Sequence, residues 1–139
     1  MKRVLLSLSI ISTLSFAYEL NPQIQKYMQG LKKQAQNQNQ DFSDFSYARG
    51  EEIFTSKHIG KKKKPIACTS CHTTDLTQNG ENTSTGKLIE PLSPSANSKR
   101  FTKVKDVKKW LRRNFRDVYK REGTAQEKGD VITYIINKK

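Results

Sequence analysis

The chain has few of the residues that build metal sites and disulfide frameworks. Its 139 residues include two cysteines, Cys68 and Cys71, and two histidines, His58 and His72. A structural zinc site needs four ligands in paired spacings, and the distance from His58 to Cys68 fits no zinc-finger pattern. No strand–helix–strand pattern surrounds the cysteines, so a thioredoxin-like dithiol is not expected. Both cysteines lie in one motif, which leaves none for a structural disulfide.

Long apolar runs are absent beyond the N-terminus, so we expect no part of the mature chain to span a membrane. The N-terminus itself carries a basic pair, then an apolar stretch too short for a spanning helix. Small residues then occupy the two positions that a signal peptidase reads. We therefore predict a cleavable signal peptide at residues 1–17 and export to the periplasm.

Acidic residues are scarce, with 13 Asp and Glu against 26 Lys and Arg, for a formal net charge of +13. Lysines cluster at Lys61–Lys64, and further basic residues follow from Lys99 to Arg121. Such charge can steer an anionic partner to the protein, or it can serve as a solvated surface. No nucleic-acid-binding motif accompanies it, so nucleic acid is not an expected partner.

The most informative motif in the chain is Cys68-Thr69-Ser70-Cys71-His72, the attachment signature of a c-type haem. Two thiols three positions apart can each add to one vinyl group of the same porphyrin. The adjacent histidine then ligates the iron. We predict one covalent haem c, attached through Cys68 and Cys71, with His72 as the proximal ligand. Export agrees with this prediction, because haem is joined to c-type cytochromes outside the cytoplasmic membrane.

Methionine, a frequent second axial ligand of such haems, is nearly absent. Met1 leaves with the signal peptide, and Met28 precedes the motif on an apolar helix stripe. His58 is one alternative ligand and would give a low-spin, bis-histidine haem. Its lysine-rich surroundings indicate an exposed loop, where a histidine is also an ordinary surface residue.

A second alternative for the distal ligand lies on a predicted amphipathic helix. With 3.6 residues per turn, Asn114 falls near the centre of a stripe formed with Val107, Trp110, Leu111 and Val118. A polar amide on an apolar face needs a partner. That partner is either a hydrogen-bonding group or the distal side of the iron.

The order of elements predicts a small all-α domain. Helix-start signals stand at Asn21-Pro22, near Ser46, at Thr102 and at Thr124, which opens a capping box with Glu127. The segments 56–65 and 73–97 are expected to be loops, and Pro91 or Pro94 is either a turn residue or the source of a carbonyl that orients His72. We assign residues 18–45 to an N-terminal helix and polar linker and residues 46–139 to the haem domain.

Five motifs resemble the sphaeroides haem protein family, in order and at the expected separations. They are Cys68-Thr69-Ser70-Cys71-His72, Thr85-Gly86-Lys87-x-Ile89-x-Pro91-Leu92-x-Pro94-Ser95, Arg100-Phe101-Thr102, Trp110-Leu111-x-Arg113-Asn114 and Arg121-Glu122-x-Thr124-x-x-Glu127-Lys128-x-Asp130. The resemblance implies a fold similar to class I cytochromes c and a high-spin haem. It also implies an asparagine ligand in the oxidised state, matched here by Asn114, and release of that ligand on reduction, after which O₂ or NO binds. It further implies a dihaem cytochrome c as electron donor.

One departure from the family concerns two further cysteines, which usually form a disulfide near the distal side. Phe115 and Gly123 stand at the matching positions. We expect Phe115 to fill the space by packing.

The expected function is therefore a periplasmic monohaem cytochrome c in which electron transfer is coupled to binding of a diatomic ligand. The alternative is a plain low-spin electron carrier with His58 or a lysine as sixth ligand. A dedicated enzyme is less expected, because no second catalytic group has a clear distal position.

Overall fold

The computed structural model describes residues 18–138. The predicted signal peptide at residues 1–17 lies outside the described residues. Within residues 18–138, five helices carry the fold: α1 Pro22–Gln38, α2 Tyr47–Thr55, α3 Thr69–His72, α4 Val104–Tyr119 and α5 Ala125–Asn137. The predicted all-α class is confirmed. Between residues 18 and 138, no helix combines the length and the apolar character needed to cross a bilayer.

Local capping signals set most of the helix starts. The Asn21 side chain accepts a hydrogen bond from the Ile24 amide at the start of α1. The Ser46 side chain accepts one from the Arg49 amide at the start of α2. At α5, Thr124 and Glu127 form the reciprocal capping box. The prediction that Thr102 caps α4 is wrong. Lys103 holds the capping position without a side-chain bond, and the Thr102 hydroxyl donates to the Lys99 carbonyl instead.

Both segments predicted as loops contain a short antiparallel ladder. In the first, β1 His58–Ile59 pairs with β2 Pro65–Ile66. In the second, β3 Gly80–Glu81 pairs with β4 Leu88–Ile89. The first ladder is tied to the end of α4, because the Lys61 amide donates to the Asp117 carbonyl at 2.9 Å.

The core forms where α2 crosses α5. Gly50 faces α5 so closely that an added Cβ would overlap the Asp130 carbonyl oxygen and would lie 2.8 Å from the Tyr134 Cβ. The Asp130 carboxylate is 1% exposed and accepts hydrogen bonds from the Ser46 amide and the Arg49 guanidinium. α1 packs against the same core through Ile24, Leu31 and Ala35.

The α2–α5 crossing predicts the effect of a Gly50→Ala substitution. The added methyl would push the backbones of α2 and α5 apart, so we expect a loss of about 3 kcal/mol in the free energy of unfolding. The matched control is Gly30→Ala on α1, where an added Cβ meets nothing within 4 Å. That change should stabilise the protein by about 0.5–1 kcal/mol through helix propensity. Urea unfolding of both variants tests the pair, and equal effects would contradict the close crossing.

The capping box at α5 predicts a pH dependence of stability. The Arg121 guanidinium donates to both Glu127 carboxylate oxygens, and with the Thr124 amide it lowers the Glu127 pKa below its usual value. A lowered pKa contributes stability above the unfolded-state pKa of about 4.3, and this contribution is lost as pH falls through the folded-state pKa.

Wild type should therefore exceed Glu127→Gln in unfolding free energy near neutral pH, with the difference shrinking below about pH 4.5. Glu122→Gln is the control, because Glu122 pairs with Arg116 on the exposed surface. It should cost less than about 1 kcal/mol. A Glu127→Gln difference that stays constant from pH 7 to pH 3 would count against the linkage.

Candidate haem site

The predicted haem-attachment motif forms a single helical turn at the wall of a cavity of about 730 Å³. Cys68, Cys71 and His72 all line this cavity. β3 packs against the turn so closely that an added Cβ at Gly80 would overlap the Cys71 carbonyl oxygen. The turn is thus held by backbone contact as well as by its own hydrogen bonds.

His72 ends the turn and is largely buried. Desolvation, together with the nearby positive charge of Arg100, lowers the pKa of His72 to about 4. The imidazole is therefore neutral at physiological pH, which is the form that binds a metal. Its Nδ1 is buried without a hydrogen-bond partner among the described residues, and its ring lies 6.1 Å from the ring of Phe54.

Of the two alternatives for Pro91 and Pro94, a turn residue or a carbonyl that orients His72, the second is not observed. His72 Nδ1 neither accepts nor donates a hydrogen bond among the described residues, and Pro94 lies in a turn. The Pro91 carbonyl is used elsewhere: it accepts hydrogen bonds from Arg100 Nε at 2.9 Å and from Asn97 Nδ2 at 3.4 Å.

The two thiols of the motif are free and partly buried. Desolvation raises the pKa of Cys68 to about 12, so this thiol stays protonated at neutral pH. Cys71 Sγ lies 3.6 Å from the Thr83 hydroxyl. Within residues 18–138, no cluster of three or more His, Cys, Asp or Glu side chains could hold a metal ion.

The remainder of the cavity wall is mostly apolar and comes from several elements. α2 contributes Ile53 and Phe54, α4 contributes Val107, Leu111 and Phe115, and α5 contributes Val131 and Ile135. A large cavity with apolar walls, two thiols and a neutral imidazole fits a covalently attached porphyrin. The apolar walls would bury the macrocycle, the thiols would attach it, and His72 would ligate its iron.

Asn114 lines the same cavity from α4 and is half-buried. Its side chain forms no hydrogen bond with another residue in the described part of the chain. The apolar stripe of α4 therefore faces the same cavity as the haem motif. Trp110, from the same stripe, also lines the cavity but is 45% exposed, with Lys109 Nζ and Arg113 Cζ 5.3 Å and 5.0 Å from its ring centroid.

His58 does not line the cavity. It lies in β1, where its ring stacks against Tyr119 with centroids 4.2 Å apart. Its Nε2 is buried without a hydrogen-bond partner among the described residues. The expectation of an exposed loop at His58 is thus wrong, because the ladder of β1 and β2 packs this segment against the end of α4.

Phe115 occupies the space next to Gly123. The Phe115 side chain is 4% exposed, and an added Cβ at Gly123 would lie 2.8 Å from two atoms of its ring. The expected packing of Phe115 at this place is confirmed. A ring that fills this volume leaves room only for glycine opposite it.

Arg100, a residue of the Arg100-Phe101-Thr102 motif, lines the cavity. Burial lowers its pKa from the ordinary value. Hydropathy patterns could not reveal this position, because Arg100 follows a polar segment with no periodicity. Phe101, beside it, has a positive φ of 52° and also lines the cavity.

Comparison with known proteins agrees with this arrangement. Residues 40–135 match the family model described as a domain of unknown function (DUF1924). The cytochrome c-type protein SHP of Cereibacter sphaeroides is 44% identical over 87 residues, which cover 63% of this chain and 67% of that protein. Cytochrome c'' of Methylophilus methylotrophus is 34% identical over 91 residues, covering 66% of this chain and 63% of the relative.

Solved structures of these same two relatives are also similar to this chain in fold. The crystal structure of oxidised cytochrome c'' from Methylophilus methylotrophus superimposes with a TM-score of 0.75 and 29% identity, covering 84% of this chain and 94% of that one. The structure of oxidised SHP, an oxygen-binding cytochrome c, gives a TM-score of 0.70 and 34% identity, covering 81% and 94%. The chain therefore belongs to the sphaeroides haem protein family, within DUF1924, and is a monohaem cytochrome c.

Proposed function

We propose that this chain is an exported, periplasmic cytochrome c in which Asn114 is a displaceable distal ligand, and that reduction opens the site to O₂ or NO. Cys68 and Cys71 attach the cofactor and His72 is the proximal ligand. When bound, the haem would supply a one-electron iron centre that can also take a small ligand. The observation that carries the proposal is that Asn114 and His72 line one cavity, and that the Asn114 amide has no other partner among the described residues.

The chemistry of Asn114 explains the coupling. An amide oxygen is a hard, neutral donor and favours ferric over ferrous iron. The Asn114 amide oxygen would therefore ligate the iron in the oxidised protein and would leave it on reduction. Because the side chain is tethered to α4, it competes locally with any incoming ligand.

Two relatives support this proposal. One structure is described as oxidised SHP, an oxygen-binding cytochrome c, and the solution structure of cytochrome c'' concerns haem-ligand detachment. We extend ligand release and gas binding to this chain on the position of Asn114. A dihaem cytochrome c is the proposed electron donor, and the basic surface would favour an anionic partner.

Replacement of the proposed ligand tests the function directly. Asn114→Val removes the amide and keeps a similar volume, so the oxidised optical and EPR spectra should change. The apparent affinity of the oxidised protein for azide should rise about tenfold or more, because the tethered competitor is gone. Asn79→Val, in an exposed loop outside the cavity wall, is the matched control. Identical spectra for wild type and Asn114→Val would overturn the assignment.

A plain six-coordinate electron carrier is the competing function, and one observation favours it. Lys99 and Lys103 line the same cavity and could supply an amine ligand. We expect the reduced wild type to bind CO rapidly and stoichiometrically, since Asn114 has been released. His58→Ala and Lys103→Gln should leave both the oxidised spectrum and CO binding unchanged. Absence of CO binding in wild type, restored by either substitution, would instead establish the electron carrier.

A further inference from the structure

Thr73 follows His72 directly and has a backbone conformation that is unusual for its residue type. Its φ is 62° and its ψ is 178°. This region of backbone space is populated almost only by glycine, because a side chain there collides with the backbone. Threonine, with its branched Cβ, is an especially poor fit. Such strain persists only where the surrounding structure holds the residue in place.

Hydrogen bonds hold Thr73 on both sides. Its amide donates to the Thr69 carbonyl at 3.0 Å, which closes the single turn of α3. Its half-buried side chain donates from the hydroxyl to the Asp75 carbonyl at 2.8 Å. The Asp75 carboxylate in turn accepts from the amide of Thr77 at 3.0 Å and from its hydroxyl at 2.6 Å. The Thr73 hydroxyl therefore joins the strained residue to an ordered turn.

The turn that follows the strained residue is itself fixed to the rest of the fold at Leu76. The Leu76 side chain is 1% exposed, and its carbonyl accepts from the amides of Leu92 at 3.0 Å and Ser93 at 2.8 Å. On the other side, β3 packs so closely that an added Cβ at Gly80 would lie 3.1 Å from the His72 Cα. The backbone on this side of His72 cannot shift without breaking these contacts.

His72 has no hydrogen-bonding partner in the described chain that would orient its ring. A histidine that ligates a metal usually donates its second ring nitrogen to a carbonyl or a carboxylate, which fixes the ring. The Nδ1 of His72 is buried without such a partner among residues 18–138. The orientation of the imidazole therefore depends on how the backbone presents it, and Thr73 sets the direction of that backbone immediately after His72.

We propose that Thr73 is a positioning residue for the proximal histidine. Its strained backbone, held by the hydroxyl bond to the Asp75 carbonyl, fixes the plane in which the His72 imidazole faces the cavity. This inference rests on the proposed function, in which His72 ligates the haem iron. A purely structural role is the alternative, in which Thr73 stabilises the turn and has no effect on the ring.

Substitutions at Thr73 separate the backbone strain from the hydroxyl bond. Thr73→Ser keeps both the Cβ and the hydroxyl. Thr73→Ala keeps the Cβ but loses the hydroxyl, so its side chain no longer holds the strained conformation. Thr73→Gly loses both, but glycine adopts this conformation without strain. The matched control is Lys63→Ala, at a second residue with a positive φ (57°), in the exposed turn between β1 and β2 and outside the cavity wall.

The test uses the mature haem protein in its oxidised form with cyanide bound. In such a low-spin complex, the order of the haem methyl resonances in the ¹H NMR spectrum depends on the plane of the proximal imidazole. We expect Thr73→Ser, Thr73→Gly and Lys63→Ala to keep the wild-type order. Thr73→Ala should change the order or double each resonance. Its unfolding equilibrium constant in urea should also rise about fivefold, for the loss of one hydrogen bond.

Stability and ring orientation give separate answers. A Thr73→Ala protein that is less stable but keeps the wild-type methyl order would establish the purely structural role and overturn the proposal. If Thr73→Ala does not mature, Thr73→Gly provides the test, because an altered methyl order in that variant would contradict a role for the backbone conformation. A mature wild-type chain whose mass lacks a covalent haem would refute the proposed function itself, which is a different outcome.

Discussion

The structure depends on the close crossing of α2 over α5. Gly50 allows the two backbones to meet at Asp130, and the buried Asp130 carboxylate binds the start of α2 through Ser46 and Arg49. The same crossing sets the position of the cavity wall. Phe54, near the end of α2, lies 5.3 Å from the Tyr134 ring on α5 and 6.1 Å from the His72 ring. A contact between backbones in the core is thereby linked, through Phe54, to the surroundings of the His72 imidazole.

Burial has a different consequence for each polar group of the cavity. It keeps His72 neutral and ready to ligate iron, and it keeps Cys68 protonated. Burial lowers the pKa of Arg100 from its ordinary value, and this guanidinium donates to the Pro91 and Glu90 carbonyls, which replace part of its water. Asn114 carries no charge, so it can lie in the apolar wall at modest cost and act as a weak, reversible ligand. One low-dielectric cavity can in this way suit both a strong proximal ligand and a displaceable distal one.

Local signals in the sequence predicted much of this arrangement. Asn21-Pro22 and the Thr124–Glu127 box marked helix starts because capping is decided within four residues. The stripe on α4 predicted that Asn114 would face an apolar interior. Features set by distant residues were missed: the ladder of β1 and β2 depends on Asp117, and His58 is covered by Tyr119. Arg100 stood in a family motif, but no hydropathy pattern placed it at the cavity, since its burial depends on carbonyls placed by a non-periodic loop.

The central claim is that Asn114 is a ligand whose attachment depends on the oxidation state of the iron. Crystal structures of the haem-loaded protein in both oxidation states test it most directly. The account predicts that the Asn114 side-chain oxygen lies within bonding distance of the iron in the oxidised crystal and beyond it in the reduced one. A His58 or lysine nitrogen on the iron in both states, with Asn114 remote, would contradict it.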